Sequence, residues 1–255
     1  MKYEIYYAVA CSTGKVRSIN QDNFYCPDEK CLNVVNDGLD GVKSYKAYSA
    51  DYPAFAIFDG MGGEQYGEVA ASIAAETFSK LKCEIKSDNI EDFLISSCYQ
   101  MNNNITTFAK QKSVKFSGTT VAMLMCSDKE IYACNIGDSK IYHYNNKKLV
   151  QISKDYVINT LKNKKPALSQ CLGIPENKFI IEPYIVRRTN SDNDYYLMCS
   201  DGLTDMLSED EIENIISKIP DVEICVNTLL ETTLSRGGRD NVTIILCKIQ
   251  ERNLN

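Results

Sequence analysis

The sequence predicts an α+β fold in which helices pack on the outer faces of two antiparallel β-sheets. Three observations carry this expectation. Apolar, β-rich segments bounded by polar turns come in runs, at 3–10, 54–58, 119–126, 131–136, 140–144, 179–186, 195–199 and 242–249. Helical periodicity is confined to 67–81, 89–112, 208–219 and 221–235, which fall in pairs and not one for one between strands as a βαβ chain requires. The 255 residues are 44% apolar and 24% charged, the proportions of an ordinary globular protein, and their number fits one domain.

Taken in order, the strand at 3–10 leads toward a polar, Gly-containing stretch at 28–52 that has no clear period and is expected as an insertion. The strand at 54–58 runs into DGMGGEQYGE, whose glycines let backbone approach closely and whose following helix, 67–81, anchors the turn. The long helix at 89–112 precedes the short strands of the middle of the chain, and the basic stretch 162–165 is expected as a solvated loop. Ser208 and Glu211 form a capping box, Ser-x-x-Glu, at the start of the 208–219 helix. After the 221–235 helix the chain closes on the strand at 242–249.

With 28 basic against 34 acidic residues the net charge is −6, so a nucleic-acid backbone would be repelled. No run approaches the ~18 to 20 apolar residues that cross a bilayer, and the N-terminus MKYEIYYAVACSTGK is too polar for a signal peptide. A cytoplasmic monomer without nucleic-acid or membrane partners is the expectation. The eleven cysteines are odd in number and no export signal precedes them, so they are expected as reduced thiols, with Cys83, Cys126, Cys134, Cys199 and Cys247 as small core residues. No Cys-x-x-Cys pair occurs and His143 is the one histidine, expected at the surface, so zinc sites and His-based catalysis have almost no material.

The informative residues are aspartates that follow apolar strands and precede glycine or a polar turn: Asp59-Gly60, Gly137-Asp138, Asp201-Gly202 and Asp240-Asn241, with Asp22 beyond the first strand. Each alone is the ordinary signature of a turn. Together they mean something else, because sheets bring strand ends together and converging carboxylates repel unless a cation neutralises them. Oxygen ligands of this kind select Mg²⁺ or Mn²⁺.

The ordered motifs Arg17-Ser-Ile-Asn-Gln-Asp22, Asp59-Gly-Met-Gly-Gly63, Ser117-Gly-Thr-Thr120, Gly137-Asp-Ser139, Ser200-Asp-Gly-Leu203 and Asp240-Asn-Val-Thr243 resemble the signature set of the metal-dependent serine/threonine protein phosphatases of type 2C, in their bacterial form. The resemblance implies a four-layer αββα sandwich with a two-metal centre at one end. It also implies hydrolysis of phosphoserine and phosphothreonine by a metal-bound water, and partners that are phosphoproteins, substrates of a serine/threonine kinase. Carried over by position, Asp59 bridges both metals, Asp201 and Asp240 hold the first, and the carbonyl of Gly60 holds the second. Asp22 acts through metal-bound water, Arg17 grips the substrate phosphate, and Gln21 and Asn241 support them. Asp138, with Asp201 and Asp205, matches the positions of a third, weaker metal.

Three departures stand out. Met61 occupies the place where many animal members carry a histidine proposed as general acid, Lys140 stands where arginine commonly follows Gly-Asp-Ser, and the flap region at 155–173 is short. A rival is written into the same residues: Cys11-Ser-Thr-Gly-Lys-Val-Arg17 satisfies the Cys-x-x-Gly-x-x-Arg loop of cysteine-dependent phosphatases, although SINQDNFYCP after it looks nonhelical. The same motifs would also suit a catalytically weak relative that binds phosphoproteins, or an enzyme that acts on small phosphoesters.

Overall fold

The computed structural model describes residues 3–28, 38–61, 66–84, 89–158 and 167–252. Two antiparallel sheets are built around central strands that are buried on both faces. One contains β1 (Tyr3–Ser12), β3 (Lys43–Tyr48), β7 (Lys140–Asn145), β8 (Lys148–Gln151), β12 (Tyr195–Cys199) and β13 (Val242–Glu251), in the order β3-β1-β13-β12-β7-β8. The other contains β2 (Asp22–Tyr25), β4 (Ala54–Asp59), β5 (Val121–Cys126), β6 (Glu130–Ile136) and β11 (Tyr184–Thr189), in the order β11-β6-β5-β4-β2. A two-stranded ribbon of β9 (Val157–Ile158) and β10 (Ala167–Leu168) stands apart.

The period of two along each strand sorts its side chains into separate layers. On β4, Phe55 and Ile57 face inward between the sheets with Tyr7, Leu124 and Ile245, whereas Ala56 and Phe58 face outward. There they meet Ala70, Ala74 and Phe78 of α1 (Gly67–Glu84) and Leu94, Cys98, Met101 and Ile105 of α2 (Ile90–Gln111). On β13, Ile244 and Leu246 point the other way, to Leu203 of α3 (Asp201–Thr204), Ile212 and Ile216 of α4 (Glu209–Lys218), and Val226 and Leu229 of α5 (Val222–Ser235). Three apolar layers thus separate helix, sheet, sheet and helix, which is the four-layer sandwich.

Several elements differ from the expectation. The stretch 28–52 is not wholly insertion: Lys43–Tyr48 is an edge strand paired with β1, followed by a 3-10 turn at Ser49–Asp51, while 29–37 lies outside the described residues. The strand expected at 179–186 begins at Tyr184, because Pro183 lacks a donor and the Glu182 N–H is taken by the Gln170 side chain at 2.8 Å. Strand β8 escapes sequence detection because its hairpin turns on Asn146 and Lys147, at φ 50° and 63°, with no glycine to mark it. Cys126, Cys134, Cys199 and Cys247 are core residues, but Cys83 is exposed near the end of α1. The basic stretch 162–165 lies outside the described residues.

The capping box at α4 is formed: the Ser208 Oγ accepts from Glu211 N and the Glu211 carboxylate accepts from Ser208 N at 3.0 Å. Arg236, at the end of α5, donates to the same carboxylate at 2.8 Å and ties the two helices together. These bonds pull the Glu211 carboxyl from its ordinary 4.5 down to about 2, the Arg236 hydrogen bond being the largest cause. Ser208→Ala is expected to lower stability by about 1 kcal/mol, about 2–4 °C in Tm. Because the folded pKa is depressed, the contribution of Glu211 is complete above the unfolded value and fades as pH falls. The Tm gap between wild type and Glu211→Gln therefore narrows as pH drops from 4.5 toward 2, which thermal melts at stepped pH will check.

Candidate active site

The strand ends bring the expected aspartates to one edge of the sandwich. Asp22 opens β2 and is the register partner of Asp59, the last residue of β4. The backbone of Asp59 is held on one side by the 117–120 segment: its carbonyl accepts from Thr120 N at 2.8 Å and Thr119 Oγ1 at 2.9 Å, and its N–H donates to Thr120 Oγ1 at 3.1 Å. On the other side Gly60 N donates to the Gln21 carbonyl at 3.0 Å. A Cβ on Gly60 would sit 2.4 Å from the Gly67 carbonyl oxygen and 2.6 Å from that of Gln21, so only glycine fits between the two chains. Gln21 Nε2 reaches Glu68 Oε2, in the first turn of α1, at 3.2 Å.

The six-stranded sheet and the connections between the two sheets supply the rest. Asp201 starts α3 directly after β12, and Asp240 precedes β13. Arg17, on the connection between β1 and β2, places Nη2 2.8 Å from Asp240 Oδ2 with its side chain 42% exposed. Asn241 stitches that connection to β13: its side chain donates to the carbonyls of Thr13 at 2.9 Å and Ile19 at 3.1 Å and accepts from Gln21 N at 2.9 Å. Asp138 follows β6 through Gly137, and Asp205 lies exposed just past the end of α3, four residues from Asp201.

The electrostatics of this edge are dominated by burial and like charge. Asp22 is 5% exposed, and its Oδ2 accepts from the hydroxyls of Ser200 and Thr243, each at 2.7 Å. Burial raises its carboxyl above the ordinary range, the two hydroxyls oppose the rise, and Asp201 and Asp240 add to it. Asp59 is raised further, by burial and then by Asp22, Asp201, Asp138 and Asp240. The Asp240 hydrogen bond raises the Arg17 guanidinium, with Asp201 and Asp59 contributing. A carboxyl whose folded pKa exceeds its unfolded one weakens the fold as pH rises, so Asp22 and Asp59 oppose folding increasingly above the ordinary carboxylate range.

The donors fit a hard divalent cation, since they are carboxylates and a backbone carbonyl with no thiolate or imidazole. Among the described residues no three acidic, histidine or cysteine side chains close around a single point. An ion here would take one or two carboxylates and complete its shell with the carbonyl and water, the habit of Mg²⁺ and of similar oxygen-seeking ions. Ser200 and Thr243 belong to motifs the sequence displays, but only the structure reveals that they fix Asp22. Met61 is half-buried beside Gly118, its N–H donating to the Gly118 carbonyl at 3.1 Å, and Lys140 pairs with Asp155. His143 is not at the surface but half-buried: it stacks on Tyr196 and lies 3.2 Å from Asp194.

The cysteine alternative fails on this geometry. Cys11 lies within β1, 2% exposed, opposite Thr243 of β13; its sulfur accepts from Asn20 Nδ2 and its thiol faces Thr243 Oγ1 at 3.3 Å. Burial, reinforced by Asp22, pushes the thiol up to about 12, the opposite of what a thiolate nucleophile needs.

Residues 40–235 match the family described as protein phosphatase 2C, and the chain belongs to that family. It is therefore a phosphoprotein phosphatase. The serine/threonine phosphatase stp of Listeria welshimeri is 28% identical over 221 residues, 79% of this chain and 85% of that one. A putative 2C-type phosphatase of Streptococcus pyogenes is 30% identical over 208 residues, 74% and 83% of the two chains. The phosphatase PstP of Mycobacterium tuberculosis is 26% identical over 254 residues, 95% of this chain and 45% of the relative. Of solved structures, Stp1 of Staphylococcus aureus superposes with a TM-score of 0.79 at 23% identity, over 96% of this chain and 95% of that one. The PstP catalytic domain in complex with two manganese ions superposes at 0.76 with 24% identity, over 98% and 100%. At these identities the structural likeness shows the fold.

Cys11→Ser is expected to keep most of the phosphatase activity, and in the native protein Cys11 is expected to resist alkylation by iodoacetamide while exposed Cys83 reacts. Peptide mapping of the alkylated protein together with the rate of the variant checks both. An inactive but folded Cys11→Ser protein would restore the thiolate mechanism.

Proposed function

We propose that the chain is a divalent-cation-dependent phosphatase acting in the cytoplasm, as a single catalytic domain, on phosphoserine and phosphothreonine of protein substrates that a serine/threonine kinase has modified. The observation that carries this is the convergence of Asp22, Asp138, Asp201 and Asp240 around Asp59 on one edge, each of the four adding to the charge that Asp59 feels. Asp59, Asp201 and Asp240 with the Gly60 carbonyl would hold two Mn²⁺ or Mg²⁺ ions, and Asp138 and Asp205 with Asp201 a weaker third. The PstP structure with two manganese ions supports that count. The named serine/threonine phosphatases among the relatives support the substrate class. No helix among the described residues is long and apolar enough to cross a membrane, which is consistent with the compartment proposed. All residues invoked lie on one chain, so a monomer suffices.

When bound, the two cations supply an acidified water near neutral pH and neutralise charge that develops on phosphorus. The residues of the chain do the positioning. Asp22, its Oδ2 fixed by two hydroxyls, offers an acceptor for a proton of the attacking water. Arg17, exposed at the rim, exchanges Asp240 for the phosphate oxygens, whose geometry its guanidinium fork matches. Met61 has no proton to give, so the departing serine or threonine oxygen takes its proton from water. No side chain bonds to phosphorus.

Two outcomes test this. Mn²⁺ is expected to raise the Tm of the wild type and to be required for turnover, while Asp59→Asn and Asp240→Asn each lose activity to background and Asp59→Asn loses the Tm rise. Full activity after exhaustive chelation, or wild-type rates in either variant, would remove the site. With matched peptides carrying phosphoserine, phosphothreonine or phosphotyrosine, kcat/KM is expected to favour the first two, and equal turnover of phosphotyrosine rejects the substrate class.

A further inference from the structure

We propose that Asn102, on the helix behind the five-stranded sheet, is a positioning residue for the carboxylate site, acting through the segment 172–174 and Thr119 on the backbone of Asp59. The proposal rests on Asp59 holding a cation.

The geometry is continuous from helix to site. Asn102 is 2% exposed on the buried stripe of α2, between Cys98 and Ile105. Its side chain is spent entirely on one loop: Oδ1 accepts from Gly173 N at 2.8 Å and Ile174 N at 3.1 Å, and Nδ2 donates to the Ile174 carbonyl at 3.0 Å. The loop so held lies hard against the 117–120 segment. Gly173 sits at φ +98°, and a Cβ there would be 2.1 Å from the Ser117 carbonyl oxygen. Leu172 N donates to the Thr119 carbonyl at 2.9 Å, and Thr119 N donates back at 3.2 Å.

Residues 118–120 are therefore bridged along both edges. Leu172 lies on one edge; Asp59, Gly60 and Met61 lie on the other, through the Thr119 hydroxyl and Thr120 N–H to the Asp59 carbonyl and the Met61 N–H to the Gly118 carbonyl. Just before β5 this short rung is held along those two edges, and the Thr120 hydroxyl adds a bond to Ser139 Oγ at 2.7 Å. A buried amide satisfies backbone groups that would otherwise lack partners, and here those groups belong to the outer neighbour of the rung. Removing it frees Gly173 and Ile174 from the helix, slackens the Leu172 to Thr119 pairing, and widens the range of positions Asp59 adopts. Small misplacements of a metal ligand appear first as lost cation affinity.

Asn104 on the same helix is the natural comparison. It donates to Thr77 Oγ1 at 2.9 Å and so links α1 to α2 without touching the loop. Calorimetric titration with Mn²⁺ alone is expected to show Asn102→Ala binding about tenfold more weakly, the low end of what partners of metal ligands contribute. Its KM for a phosphopeptide at saturating Mn²⁺ should stay close to wild type. Asn104→Ala should lower Tm and leave Mn²⁺ affinity unchanged. Asn102→Asp, which keeps both acceptor bonds, should recover most of the affinity. Thr119→Val, which removes the hydroxyl from the Asp59 carbonyl, should weaken Mn²⁺ binding on its own, and the double variant should be weaker by less than the sum of the two. If Asn102→Ala does not fold, Thr119→Val and Asn102→Asp decide: wild-type affinity in the first, or affinity in the second as weak as in the first, rejects the relay. Wild-type affinity in folded Asn102→Ala, or equal weakening in Asn104→Ala, also rejects it. A wild type that binds no Mn²⁺ rejects the cation reading itself, and this proposal with it, which is a different result from a wild type that binds and an Asn102→Ala protein that binds equally well.

Discussion

The structure depends on holding several carboxylates together where water is scarce. Two like charges about 6 Å apart repel by about 3 kcal/mol at an effective dielectric near 20, so one such pair offsets the burial of one or two large apolar side chains. Asp22 and Asp59 face each other across a strand pair, and Asp138, Asp201 and Asp240 act on one or both of them. A soft scaffold would relax by letting them part. The sandwich resists because each aspartate sits at the end of a strand whose two faces are both packed, so that no strand can slide without displacing residues in two layers at once.

Rigidity alone does not place a carboxylate, and the short-range bonds do the rest. Ser200 and Thr243 come from neighbouring strands of the six-stranded sheet, yet both donate to Asp22 of the other sheet, so this one side chain bridges the sandwich at its open end. Asn241 fixes the Arg17 connection in the same manner, with three bonds to backbone. Arg17 remains exposed on an otherwise tethered loop, so the group proposed to meet the substrate phosphate is open to solvent while Asp22 is buried.

Much of this was legible in the sequence because the central strands are apolar and the aspartates stand at their ends in fixed order. The parts that were not legible have specific causes. Lys43–Tyr48 reads as loop because this edge strand, KSYKAY, has no apolar alternation and buries little. The start of β11 moves because one proline outweighs the apolar run Phe179-Ile180-Ile181 before it. Asn102 sits among Asn103 and Asn104 in a polar-looking stretch, and only its spacing from Cys98 and Ile105 marks it as inward-facing. Ser200 and Thr243 are visible in motifs, but nothing in a one-dimensional pattern says that two hydroxyls from neighbouring strands meet on one oxygen.

The place of β13 in its sheet has a consequence for assembly. It lies between β1 and β12, paired with β1 over ten residues and with β12 over five, so the six-stranded sheet is two separate pieces until it arrives. Its N-terminal end carries Asp240, Asn241 and Thr243, the partners of Arg17, Gln21 and Asp22. During synthesis a ribosome delivers these residues after nearly everything they must meet, and contacts so distant in sequence form slowly. Joining the sheet and completing the acidic edge are thus one event, so a nascent or clipped chain lacking this strand lacks the proposed site as a whole.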